Sequence, residues 1–211
     1  MKRAILFFAF CAGLTSLYAA PAPNFTVTTS DGVSRNLYQD FINKQKLVVI
    51  QAFNTTCTTC NDEAAYVQAL YLQMQVNHPN QVEFLLLSTL NTDSNSIVKQ
   101  YRANKGLTML AAGFDGNSIA ALQPYTNGQF GFFQGAPTFI VVAPVTGEVY
   151  FDIRGSSLDQ TIALLQQRIE STIPQECVIK TYSGNLADSV AMQIHTPVFD
   201  TTIQVNGYYT L

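Results

Sequence analysis

The sequence predicts an α/β fold in which a mixed central sheet is flanked by helices and followed by a short C-terminal β-rich extension. Three observations carry this. Residues 46–53 (KLVVIQAF), 82–87 and 138–143 are apolar runs of strand length with β-branched residues, the pattern of strands covered on both faces. Helical patterns alternate with the first two runs, which predicts a βαβ unit. The third run is followed by a turn at 145–148 and a partner strand at 149–154, which predicts an antiparallel hairpin.

Taken in order, the first twenty residues hold Lys2 and Arg3, an uncharged apolar stretch at 4–17, and small residues at Ala19, Ala20 and Ala22. Basic, apolar, small is the layout of a secretory signal, expected to span 1–20. The stretch falls short of the ~20 residues of a membrane span, so cleavage is expected and retention as an anchor is the alternative. Cys11 would leave with the signal. The main domain is then expected over 21–174 and the extension over 175–211.

Within the domain, residues 24–28 read as a short strand, Ser30-Asp31-Gly32 as a turn and 37–41 as one helical turn. The strand at 46–53 runs into N-T-T-C-T-T-C, and a helix follows. Asp62 and Glu63 are expected in its first turn, solvated and favourable to the dipole. Val67, Leu70, Tyr71 and Met74 give it one apolar face, and His78-Pro79-Asn80 stops it. Residues 95–104 read as a helix closed by Lys105-Gly106, 107–111 as a strand and 118–123 as a short helix. A Gly- and Phe-rich loop at 127–135 leads to Ala136-Pro137-Thr138. Ser156 or Ser157 caps the last helix, whose stripe is Leu158, Ile162, Leu165 and Ile169, and Pro174 ends it. The extension holds three strand-like stretches, at 178–182, 190–195 and 201–211.

Composition narrows the function. The chain carries 11 Lys and Arg against 14 Asp and Glu; without the signal 9 basic residues remain, a net charge of about −5. No basic cluster occurs, which argues against nucleic acid as a partner. No segment after the signal is long and apolar enough to cross a bilayer. An exported protein of the periplasm or cell envelope, with no membrane span after cleavage, is expected.

Three cysteines remain after the signal: Cys57, Cys60 and Cys177. One close pair plus a distant single suggests chemistry at the pair rather than a disulfide framework. The pair sits where a buried strand ends and a helix begins. Unpaired N–H groups and the dipole there stabilise a thiolate at Cys57, and Cys60 lies one turn on. Cys57 is therefore the expected nucleophile and Cys60 the resolving thiol. A zinc site would have to recruit Cys177, His78 and His195, which lack paired spacing. Haem attachment would need His where Asn61 stands. A purely structural disulfide over so short a loop would add little stability.

Three stretches then carry a resemblance: FTVTTSDGV at 25–33, KLVVIQAFNTTCTTC at 46–60 and GAPTFIVVAPVTGEV at 135–149. Over residues 23–172 the chain resembles exported thioredoxin-like proteins of the TlpA/ResA and redoxin type. The resemblance implies a thioredoxin fold and thiol–disulfide exchange with protein thiols or disulfides, recycled by an unknown redox partner and with no metal or organic cofactor. It implies that Pro137 is a cis-proline facing the dithiol and that the Ala136 backbone is exposed to pair with a substrate strand. Thr56, Thr58 and Thr59 border the cysteines and complete the expected substrate-binding set. Gln51 lies where thioredoxin has a buried carboxylate.

The chain departs from that family in two places: Thr56 replaces the usual Trp before the first cysteine, and Thr58-Thr59 lack the usual Pro. These departures keep a second reading open, a thioredoxin-fold binding or surface protein with a vestigial dithiol. A peroxiredoxin-like peroxidase is a third reading, weakened because Asn54 stands where that family has Thr, with no Arg nearby. Phe130, Phe132 and Phe133 read as core plugs, with a substrate groove as the alternative. Cys177 reads as an idle thiol, His78 as a helix-end group and His195 as a residue of a strand. Asn24 and Asn54 meet the glycosylation triplet, although a glycan at Asn54 would obstruct the dithiol.

Overall fold

The computed structural model describes residues 20–173, 190–195 and 200–205. Residues 1–19 of the expected signal with Cys11, Cys177, the strand-like stretch at 178–182 and residues 206–211 of the last one lie outside the described residues.

Five strands form the central sheet in the order β5-β4-β3-β6-β7: Leu110–Ala112, Val82–Ser88, Leu47–Phe53, Thr138–Val142 and Val149–Tyr150. β3 runs parallel to β4 and β4 to β5, whereas β6 lies antiparallel to both β3 and β7. Every residue of β3 is buried, because the strand has a packed layer on each face. Leu47, Val49 and Phe53 pack with Val67, Leu70 and Met74 of α1 (Thr58–Asn77) and Leu165 and Ile169 of α4 (Leu158–Thr172). Val48, Ile50 and Ala52 point the other way, into a second cluster with Leu122 and Tyr125 of α3 (Ser118–Thr126) and Val27, Leu37 and Ile42. Period-two alternation therefore divides one continuous apolar run between two cores.

The helix ends follow their capping chemistry. Ser94 Oγ accepts from Ile97 N–H at the start of α2 (Asn95–Lys105), which Gly106 closes with a φ of +67°. Ser157, not Ser156, caps α4.

Several boundaries differ from the sequence reading. β1 (Thr26–Thr28) pairs with a second strand, β2 (Ser34–Asn36), which the sequence did not suggest. β7 covers two residues instead of 149–154. β5 begins at Leu110 rather than 107, and α3 continues to Thr126 with Pro124 inside it. In the extension, β8 (Val190–His195) pairs antiparallel with β9 (Asp200–Val205).

Candidate active site

Helix α1 starts at Thr58, so Cys57 is its N-cap, and its sulfur accepts the Cys60 N–H at 3.1 Å. Cys57 and Cys60 are joined as a disulfide with their Cα atoms 5.2 Å apart. Cys57 is half-buried and Cys60 is buried against the α1 core, so an incoming sulfur meets Cys57 first. Ala136 and Pro137 lie directly opposite. Their peptide bond is cis, and the Ala136 carbonyl oxygen stands 3.5 Å from Cys57 Sγ. Residues 79 apart in sequence meet because β3 and β6 are hydrogen-bonded neighbours, with Ala52 opposite Thr138.

Thr56, Thr58 and Thr59 are exposed around the pair, and no charged side chain stands between Asn54 and Cys60. Gln51 is buried on the α1 face of β3. The amide of Asn61 donates to Cys57 O at 2.9 Å, and the Tyr101 hydroxyl donates to Cys60 O at 3.4 Å. Burial, aided by the charge of Asp93, pushes the Tyr101 phenol up to about 12, so it remains a donor throughout the neutral range.

Two groups near the site escaped the sequence reading. Asp93, 2% exposed, sits in the loop after β4. Its carboxylate accepts from Thr55 N–H at 3.0 Å, Thr55 Oγ1 at 2.7 Å and Ser88 Oγ at 2.7 Å, tying the segment before Cys57 to the end of β4. Arg154 is the second. Its guanidinium donates to Pro137 O at 3.0 Å and Thr138 Oγ1 at 3.2 Å, fastening the proline loop from the sheet edge. A polar loop residue and a charge near a turn carry no distinguishing sequence pattern.

Glu63 corrects an expectation. Because α1 starts at Thr58, Glu63 falls in its second turn and faces inward, 6% exposed, with Oε2 lacking a hydrogen-bond partner. Burial raises its pKa, opposed by Arg154 and assisted by Asp62. A carboxyl whose folded value is raised favours folding fully below its unfolded value, and that contribution is lost as pH rises through the folded value. Glu63→Gln keeps the neutral form at every pH. It is expected to raise the thermal midpoint at neutral pH by about 2–4 °C, with the gain vanishing below the ordinary carboxylate range. Thermal unfolding of both proteins across that range checks this.

The Phe-rich loop divides. Phe130 stacks on Tyr125 with centroids 5.1 Å apart, Phe133 packs against the same core, and Phe132 is exposed. Gly131 has a φ of +145°, and a Cβ there would come within 2.9 Å of the Phe151 ring. Gly131→Ala is expected to cost about 1–3 kcal/mol, read from the urea midpoint.

Among the described residues no group of three or more His, Cys, Asp or Glu side chains is placed to hold a metal ion. His78 is engaged with Glu170 at 2.7 Å.

Solved structures share this architecture. The thioredoxin domain of a thiol-disulfide oxidoreductase from Bacteroides vulgatus aligns at 17% identity over 72% of this chain and 97% of that one, with a TM-score of 0.54. A thiol:disulfide interchange protein of the thioredoxin family from Chlorobium tepidum gives 19%, 74%, 97% and 0.54. A thiol-disulfide oxidoreductase from Bacteroides fragilis gives 16%, 69%, 99% and 0.53. No family model and no curated protein matches the chain. The domain has the thioredoxin fold, a five-stranded mixed sheet flanked by helices.

Proposed function

We propose that the chain is a thiol–disulfide oxidoreductase acting on protein substrates, with Cys57 as the exchanging sulfur and Cys60 as its partner. The observation that carries this is the placement of the Cys57–Cys60 disulfide at the start of α1, 3.5 Å from the carbonyl of a cis-proline loop. The names of the structural neighbours favour the same chemistry.

In the oxidised form a substrate thiolate attacks Cys57 Sγ, the bond to Cys60 breaks, and Cys60 leaves as a thiolate. A second substrate thiolate then attacks the substrate sulfur of the mixed disulfide. The substrate leaves oxidised and the chain holds two thiols. Run backwards, the same steps reduce a substrate disulfide. At the helix start the Cys57 thiolate gains from the Cys60 N–H and the dipole, which makes it both nucleophile and leaving group. The Ala136 backbone lies where an extended substrate segment could pair, beside Thr56, Thr58 and Thr59.

Cys60→Ser tests this, because without the resolving thiol the exchange stops at the mixed disulfide. The expected result is a partner protein held on Cys57 that reductant releases; absence of any such adduct would refute the proposal.

Export to the periplasm or cell envelope belongs to the same proposal and rests on the 1–20 signal pattern. Among the described residues no helix is long and apolar enough to cross a membrane. A mature protein in the envelope fraction, with its N-terminus near Pro21, is the expected outcome of fractionation and mass measurement.

A further inference from the structure

The loop before Ala136 places one large apolar side chain in solvent, four residues ahead of the backbone that faces Cys57. Phe132 is 82% exposed, whereas its neighbours on both sides are packed down. Phe130 stacks on Tyr125 and Phe133 joins the same core, so both flanks are held. Between them the backbone at Gly131 takes a φ of +145° and passes so close to the Phe151 ring that a side chain would not fit. Further along, Gln134 Nε2 donates to Asp152 at 3.4 Å, and Thr138 Oγ1 donates to Gly135 O at 2.7 Å. The loop is therefore held on either side of Phe132 in a way that turns this ring outward.

Single exposed apolar residues occur on most surfaces; position is what distinguishes this one. Phe132 precedes Ala136 by four residues, which is at most about 14 Å of extended chain. A substrate segment lying beside Ala136 would need only a few residues to reach it. The residues bordering Cys57 on its own loop are threonines, which offer no large apolar surface. Val76, also 80% exposed, stands at the far end of α1, roughly 28 Å from the dithiol along the helix.

We propose that Phe132 is a specificity residue that favours substrate cysteines flanked by a large apolar or aromatic side chain. This rests on the oxidoreductase reading of the dithiol and adds the class of sequence it prefers. Binding would bury Phe132 against the substrate side chain while Cys57 Sγ forms the mixed disulfide. No additional bond chemistry is involved.

The test uses pre-reduced protein in a single turnover against two disulfide-linked peptides identical but for Phe or Ser beside the cysteine. One peptide disulfide is reduced for each Cys57–Cys60 pair oxidised, so no recycling partner is needed. The wild type is expected to reduce the Phe peptide about tenfold faster, the scale of one buried apolar side chain. Phe132→Ser is expected to lose that preference while keeping its rates with the Ser peptide and with hydroxyethyl disulfide, a small acyclic acceptor. An unchanged preference in Phe132→Ser, an equal loss on both peptides, or no preference in the wild type would overturn the assignment. Failure of the reduced wild type to react with either peptide or with hydroxyethyl disulfide, together with failure of its oxidised form to react with the reduced peptides, would overturn the oxidoreductase reading itself, and this proposal with it.

Discussion

Cys57→Ser is expected to abolish protein-dependent disulfide exchange, leaving the rate at the background of the reagents. Cys57 is the accessible sulfur, half-buried at the mouth of the site, whereas Cys60 is 1% exposed. Exchange requires an in-line approach to one sulfur with the other departing, and Cys57 alone has solvent and the Ala136 backbone on its open side. A hydroxyl in its place neither ionises in the neutral range nor forms a disulfide. Cys60→Ser should behave differently, forming a mixed disulfide once and then stalling. Stability should change little in either variant, because a bridge across a sequence separation of 3 restrains few unfolded conformations. Single-turnover rates with a peptide disulfide check the first expectation, and urea unfolding of both variants against the oxidised wild type checks the last.

Asp93→Ala is expected to cost roughly 2–4 kcal/mol, the largest stability loss of the variants considered. The carboxylate receives three hydrogen bonds within the fold, two from Thr55 and one from Ser88, and no other element replaces them. Ser88 itself is fully buried; its Oγ also accepts from Leu90 N–H, and its carbonyl accepts from Ser118 Oγ. Removing Asp93 therefore strands buried donors at the junction of β4, the CxxC loop and α3, and the desolvation cost of those groups remains. Asp93→Asn keeps one acceptor oxygen and should lose less. Because Thr55 lies two residues before Cys57, the same change should also loosen the thiolate's position. The alkylation rate of reduced Cys57 as a function of pH reads that effect apart from stability. Unchanged urea midpoints for Asp93→Ala would show that the network contributes nothing to the fold.

The parts of the fold that were legible in the sequence are those whose local pattern and tertiary role coincide. Residues 46–53 read as a doubly covered strand because β3 lies at the sheet centre, and the last helix was legible because Ile162, Leu165 and Ile169 of its stripe face the core. The dithiol was legible from its position between a buried strand and a helix. Its partner Pro137 was not, since a proline before a strand is usually trans; that expectation came through resemblance.

β2 was missed because Ser34, Arg35 and Asn36 are polar and short, and their strand character comes from pairing with β1. Glu63 was misplaced by the helix start: moving it back to Thr58 carries this carboxyl into the second turn and rotates it inward. The Phe-rich loop could not be divided from its composition, because Phe130 and Phe132 differ only in what the backbone at Gly131 does between them. Asp93 had no pattern at all, since its value lies in a contact with Thr55 across 38 residues.

The measurement that tests the central claim most directly is a redox titration of the purified protein. The protein would be equilibrated in graded thiol/disulfide buffers, with trapping by alkylation and mass readout at Cys57 and Cys60. The account requires one reversible two-electron transition in which both cysteines change together. It should fall between about −270 mV, typical of a thioredoxin-like reductant, and about −120 mV, typical of a strong oxidant. Its place in that interval fixes the direction of exchange. A pair that stays locked as a disulfide, or never forms one, across the whole range would contradict the oxidoreductase function.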